Sequence, residues 1–291
     1  VMPELPEVEG VVRDLKTLVE GKTIERVKLS EVVYNAAELG KQCIVKNANP
    51  ADFELVVSGM NIAQIMRRSK YIFFHVSRDE EPFLLISHLG MSGAWFVVNH
   101  LDEITEPKFR KHVHAVFTLN TGELLVYADI RRFGELRFIK ELADHPPLTK
   151  MAPEPFDDDA CDYFLAQCEK PKYAKKPIKE VIMDGQVISG CGNIYATEAL
   201  FAVKIQPTRK TSEVSKKRKI ELFEAIRAVL LESIENGGST ISDYRSVNGG
   251  AGNMQDRLKM YSKKVCPACQ TPTEAVVIAG RTSTYCPSCQ K

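Results

Sequence analysis

Residues Met2-Pro3-Glu4-Leu5-Pro6-Glu7-Val8-Glu9 offer the most specific chemistry in this 291-residue chain. An interior proline has no N–H. A proline at a free amino terminus is a secondary amine that can attack an electrophilic carbon, giving an iminium that stays positively charged without a proton. An α-amino group titrates near ~8 on the reference scale, so a sizeable minority is neutral and nucleophilic near pH 7. The same residues also suit a plain helix start, with proline in the first turn and acids complementing the dipole. As written, Val1 and Met2 precede Pro3. The amine therefore exists only in chain processed to Pro3.

A second constellation closes the chain: Cys266-x2-Cys269, sixteen residues, then Cys286-x2-Cys289. Four thiolates at that spacing make a tetrahedral zinc site with no open position for substrate, so one structural Zn2+ is expected. Two disulfides are the weaker alternative, because the other cysteines (Cys43, Cys161, Cys168 and Cys191) are scattered and no secretion signal is evident. Val276-Val277-Ile278 leads into Ala279-Gly280-Arg281, which places Arg281 at or near a hairpin turn.

Positioning elements can be read around these residues. Val8, Val11, Val12, Leu15, Leu18 and Val19 recur at amphipathic spacing, predicting a helix with Pro6 near its first turn. Up to about residue 140 the pattern is strand-like, as in 71–74, 83–86 and 124–127, with Asn120-Thr121-Gly122 as a hairpin turn; short strands in series argue for a β-sandwich. Pro146-Pro147, Pro155 and the Asp157–Asp159 cluster mark a boundary, after which helices are expected over 178–183, after Asn193 and over 216–235. Asn236-Gly237-Gly238 stops the last of these and opens a glycine-rich segment to about Gly252, a connector or a lid.

The apolar and charged fractions are those of a soluble globular protein, and no apolar run approaches a bilayer span, so no membrane is expected and the location is expected to be cytoplasmic. The formal net charge of +1 hides an asymmetry. Residues 1–169 carry 19 basic and 27 acidic side chains, whereas 170–291 carry 20 and 11. A basic carboxyl-terminal portion suits a polyanion such as nucleic acid. The run Lys216–Lys219 taken alone reads as the solvated start of a helix.

Together, Pro3-Glu4-Leu5-Pro6-Glu7, Arg131-Arg132-Phe133-Gly134, Gly192-Asn193-Ile194-Tyr195 and the four-cysteine finger resemble the bacterial-type formamidopyrimidine-DNA glycosylases over nearly the whole chain. The resemblance implies an α+β multidomain fold: a catalytic β-sandwich with an amino-terminal helix over 1–148, a helix–two-turn–helix domain with a glycine-rich lesion loop over 149–257, and a zinc-finger hairpin over 258–291. DNA would lie in the cleft between them, bound by a monomer that is nucleoid-associated in a bacterium.

The activity implied is excision of oxidised purines (8-oxoguanine, formamidopyrimidines) from damaged double-stranded DNA, then strand cleavage by β,δ-elimination. By this resemblance Pro3 attacks C1′, Glu4 transfers protons, Glu7 orients the terminus, and Lys70 contacts a phosphate beside the lesion. Met91, Arg131 and Phe133 match residues that fill the gap left by an extruded base, a thioether and an aromatic ring acting as wedges and a guanidinium serving the orphaned partner. His88, Arg132, Lys175, Asn193 and Arg281 complete the expected DNA contacts, with Asn193 at a helix amino terminus where N–H groups face phosphate. His112 and His114, without a third ligand nearby, read as structural. An endonuclease VIII-like enzyme for oxidised pyrimidines and a non-catalytic damaged-DNA binder are the competing readings. Leu5 and the Arg131–Phe133 element favour the purine enzyme, whereas a retained Val1-Met2 favours the non-catalytic binder.

Overall fold

A computed structural model describes residues 2–241 and 244–291; Val1 and positions 242 and 243 of the glycine-rich segment lie outside the described residues. The chain forms two compact units. One holds residues up to 3, 7–149 and 237–252, and the other holds 4–6, 150–236 and 253–291.

The first unit is built on strands β1 (Ile24–Leu29), β2 (Val45–Lys46), β3 (Asn61–Arg68), β4 (Tyr71–Arg78), β5 (Glu81–His88), β6 (Gly93–Val98), β7 (Val113–Leu119), β8 (Leu124–Asp129) and β9 (Glu135–Ile139), with helices α1 (Leu5–Val19), α2 (Glu31–Glu38), α3 (Pro50–Val57) and α4 (Pro107–Arg110). Two sheets result, ordered β2-β9-β5-β4-β3 and β1-β7-β8-β6. All neighbours are antiparallel except β2 with β9. Alternate residues of both sheets meet in one core: Ile65, Phe74 and Leu85 from the larger, Trp95, Phe117 and Tyr127 from the smaller, and Val8, Val12 and Leu15 from α1. This is the sandwich that the strand pattern predicts. Trp95 lies at its centre, 5.0 to 5.9 Å from the rings of Tyr127, Phe74 and Phe117, with its N–H donating to Ser87 Oγ. Strand β6 is buried on both faces because Phe96 and Val98 pack outward under Ile104 and Phe109.

The second unit contains α5 (Ala160–Cys168), α6 (Pro171–Ala174), α7 (Ile178–Ile182), α8 (Asn193–Ala202) and α9 (Lys216–Glu235), followed by the hairpin β10 (Glu274–Ile278) and β11 (Arg281–Tyr285). Ser215 caps α9 by accepting the amide of Arg218, and Leu222, Phe223, Ile226 and Leu230 form its buried stripe. Lys216 and Lys217 are solvated, whereas Lys219 is buried. The finger is stitched to the end of α8: Gln290 donates to Ile205 O at 2.9 Å and accepts from Cys286 N at 2.8 Å, and Lys291 donates to Lys204 O at 3.1 Å.

Candidate active site

Pro3 is buried, as are Glu4 and Glu7. Within the second unit the Glu4 carboxylate accepts three backbone N–H groups, from Gly192 (2.6 Å), Ile194 (2.8 Å) and Tyr195 (3.3 Å). These are orphan donors at the start of α8, so Glu4 closes that helix from 188 to 191 residues away. Gly192 is required here, since a Cβ would lie 2.7 Å from the Glu4 carboxyl carbon. Glu4 thus takes three of the N–H groups at this helix start, those of Gly192, Ile194 and Tyr195, and the amide of Asn193 is not among them. Asn193 keeps a different donor. Its Oδ1 accepts from the Lys179 ammonium, which orients the carboxamide and turns its NH2 the other way.

Lys179 is the feature that sequence reasoning missed in this unit. It sits in a basic run otherwise read as favouring a polyanion, yet it is wholly buried, donating to Asn193 Oδ1 and, at 2.5 Å, to Ser283 Oγ on β11. Burial lowers its pKa to about 8, against the opposing pull of Cys191 and Glu4 and with a further push from Arg281. Its only signal in the sequence is an apolar surround, Ile178 before it and Val181-Ile182 after it. Arg281 opens β11, paired with Ile278 across the turn, and Lys175 is exposed just after α6.

Glu198, also missed, accepts the amides of Lys259, Met260 and Tyr261 at 2.5 to 2.8 Å and so fixes the segment leading into the finger. The four finger sulfurs lie within 4.8 Å of one another, with Cys266–Cys289 at 3.9 Å and Cys269–Cys286 at 3.5 Å. Tetrahedral zinc with Zn–S near ~2.3 Å requires S–S edges of about 3.8 Å, and a disulfide about 2.0 Å, so the set fits one structural zinc.

Within the first unit, Lys70 forms with Ser69 the two-residue turn between β3 and β4, Ser69 taking a φ of 53°. Across β4 and β5, Tyr71 is in register with His88, their rings 5.0 Å apart. Burial lowers the His88 pKa, and Nδ1 accepts the Gly90 amide at 3.1 Å, which leaves Nε2 as the donor of a neutral ring. Glu7 accepts the Ser239 amide at 3.0 Å through its carboxylate, and its backbone carbonyl accepts the buried Tyr244 hydroxyl at 2.9 Å, so the glycine-rich segment returns to α1. Glu9 pairs with Arg67 and Arg13, both at 2.9 Å, a structural role that ties α1 to β3. His114 is structural too, bridging Ser30 Oγ and Asp129 O.

The three gap-filling candidates stand on two adjacent loops. Asp129, fully buried, organises both: Oδ1 accepts from Ser92 Oγ (2.7 Å) and Arg132 N (2.9 Å), and Oδ2 from Tyr127 Oη (2.8 Å) and Gly134 N (2.9 Å). Ser92 Oγ in turn accepts the Arg131 amide at 2.7 Å. A Cβ at Gly134 would overlap Tyr127 Oη and Asp129 Oδ2. The result is an exposed Arg131 guanidinium 5.2 Å from the centroid of an exposed Phe133 ring, beside the half-buried Met91. Phe133 thus holds an apolar ring in solvent on a loop fixed by a buried polar cage.

Three family models match in order: the formamidopyrimidine-DNA glycosylase N-terminal domain over 2–136, the formamidopyrimidine-DNA glycosylase H2TH domain over 151–245, and the zinc finger found in FPG and IleRS over 263–291. A formamidopyrimidine-DNA glycosylase of Geobacillus kaustophilus is 37% identical, with all of both chains covered. A Lactococcus lactis Fpg mutant bound to Fapy-dG-containing DNA superimposes with a TM-score of 0.84 at 30% identity, covering 99% of this chain and 100% of that one. Lactococcus lactis Fpg bound to DNA containing an abasic site gives 0.83 at 30% identity, covering 99% of each.

Proposed function

This chain belongs to the formamidopyrimidine-DNA glycosylase family, and we propose that it excises oxidised purines from duplex DNA and cleaves the resulting abasic site through a Schiff base on Pro3. One observation carries the reading. Glu4, covalently next to Pro3, is anchored by three converging amides, so the peptide that bears the nucleophile has a fixed place.

The chemistry runs as follows in chain processed to Pro3. The amine attacks C1′ and the glycosidic bond breaks, the pair of electrons leaving with a base that takes up a proton. Glu4 passes a proton to the ring oxygen as the sugar opens, giving the iminium. Positive charge at C1′ acidifies C2′, so loss of a C2′ proton expels the 3′ phosphate and a second elimination expels the 5′ phosphate; water then frees Pro3. Lys70, Asn193, Arg281 and Lys175 would hold the damaged strand's phosphates, His88 and Arg132 would add neighbouring backbone contacts, and Met91, Arg131 and Phe133 would fill the vacancy. Glu7 would steady the terminus from the first turn of α1. Zinc, when bound by Cys266, Cys269, Cys286 and Cys289, supplies structure and no chemistry. The functional division 1–148, 149–257 and 258–291, a monomeric state and a cytoplasmic location belong to the same proposal. No helix among the described residues is long and apolar enough to cross a membrane.

Borohydride reduction during turnover on 8-oxoguanine duplex tests this. Chain beginning at Pro3 should be captured covalently on DNA, and chain retaining Met2 should not, because a blocked nitrogen cannot form an iminium. Capture at full yield with Met2 attached would make another amine the nucleophile. Faster turnover on oxidised thymine than on 8-oxoguanine would move the enzyme to the pyrimidine class.

A further inference from the structure

Beside the wedge loop the first unit carries a second concavity, of about 500 Å³, that the reaction does not use. Arg131, Arg132 and Phe133 form one wall; Val32 and Leu39, from α2 and the turn after it, form an apolar floor, and Lys41 stands at the rim. Its size falls in the roughly 300–1,000 Å³ range of sites that take small organic groups. Two features of this floor are unusual for a surface. Val32 and Leu39 are 40% and 65% exposed, and the charged side chains that line the pocket are Lys41, Arg131 and Arg132, all cationic, Glu31 and Glu38 of α2 not being among the lining residues.

The pocket is also preformed. Arg132 is held in the left-handed region at φ 58°, with its N–H bonded to Asp129 and its carbonyl accepting from Gln42 Nε2 at 3.3 Å. Both walls are therefore fixed to each other before any ligand arrives. An apolar floor ringed by cations suits a group with a flat apolar face and an anionic edge, which describes a nucleotide.

We infer that this pocket receives a nucleotide of the undamaged strand, next to the one opposite the lesion. This rests on the proposed glycosylase reading, since it takes the wedge loop to enter a duplex. Phe133 and Arg131 on one wall would then serve two positions at once, the gap on one side and the adjoining stacked nucleotide on the other. The pocket would thus give the protein a grip on the continuous strand that is independent of the damaged one.

Leu39→Asp and Lys41→Glu test the inference, because both side chains are exposed and lie outside the cage that holds the wedge. Affinity would be measured for a duplex bearing an abasic-site analogue with its complement intact, and for the same damaged strand with a complement ending at the base opposite the lesion. Each variant should bind the intact duplex about tenfold more weakly and the truncated duplex as the parent does. Equal affinity of parent and variants for the intact duplex would overturn the pocket's role. So would an equal loss on both duplexes, which would mark a general electrostatic effect. Borohydride capture of the parent on single-stranded abasic DNA separates the two claims. Failure there sinks the glycosylase reading, whereas success there with unaltered variant affinities sinks only the pocket.

Discussion

Two buried carboxylates organise the two units, and they reach their partners by opposite routes. Asp129 ends β8 and collects four donors from residues 2 to 37 positions away, all on or beside one sheet. Glu4 collects three from residues 188 to 191 positions away, at the start of α8. The local anchor carries no reacting group; it shapes a loop that presents other residues. The distant anchor is itself next to Pro3, the nucleophile we propose, so on that proposal its bonds position chemistry and complete a helix together. The Asp129 cage is assembled at one end of the paired strands β6 and β8 and the loops beside them, but a group that must touch both a terminus and a helix start demands a finished fold.

The same isosteric change separates the two. Glu4→Gln should lower base excision by about 10²- to 10⁴-fold, the range for a lost proton-transfer group, while keeping much of the cleavage at preformed abasic sites, where the amine meets an aldehyde directly. The carboxamide also turns an N–H toward at least one α8 amide, so the melting temperature should fall with a cost of about 1–3 kcal/mol. Paired rates on 8-oxoguanine and abasic duplexes measure the split. Equal losses of both, tracking the melting temperature, would reduce Glu4 to a helix cap.

The zinc site sharpens the contrast in the second unit, where the finger is bound to α8 by Gln290 and Lys291. Structural zinc contributes on the order of 10 kcal/mol to its own module, so Cys266→Ser should lose the metal and unfold the hairpin that carries Arg281. DNA affinity should fall by at least about tenfold. The chain's single tryptophan, Trp95, reports the sandwich core alone, so its fluorescence should stay native. Retained zinc and retained affinity would contradict this.

At the local anchor, Asp129→Asn must point its NH2 at either Arg132 N or Gly134 N, and neither backbone donor can rotate away. One orphaned N–H costs about 1–3 kcal/mol. The wedge loop should loosen and the preference for the base opposite 8-oxoguanine should weaken by about tenfold in kcat/KM, with capture on single-stranded abasic DNA unchanged. A variant that discriminates like the parent would mean the cage is dispensable.

These anchors also mark the limit of what is legible in the residues alone. Helix α9 could be bounded at Lys216 and Glu235 because its apolar stripe, its start and its Asn-Gly-Gly stop are all local. The cysteine set could be paired with zinc because its spacing is local too. Gly134 and Gly192 stand plainly in their motifs, but their pairing with the carboxylates for which they leave room does not, since nothing in the chain pairs position 4 with 192. Buried Lys179 and Glu198 escaped for the same reason: charged residues are read as solvated unless their partners are known, and their partners are backbone amides and side chains supplied by folding.

The smallest expected effect probes Lys179, whose folded pKa, about 8, lies below the ~10.4 of a free lysine. Between those values the unfolded chain binds more protons than the folded one, so this group's contribution to stability is lowest below pH 8 and rises as pH climbs toward 10. Across the same window the folded protein loses a cation facing Glu4, Cys191 and Arg281. Only the protonated form brings a full charge to Asn193 and Ser283, so DNA affinity should fall a few-fold between pH 7 and 9 with a midpoint near 8. Lys179→Met should flatten both profiles, whereas Lys175→Met, at an exposed position, should lower affinity uniformly and leave the midpoint in place. An unchanged midpoint in Lys179→Met would assign the titration to another group and leave Lys179 as packing between α7 and the finger.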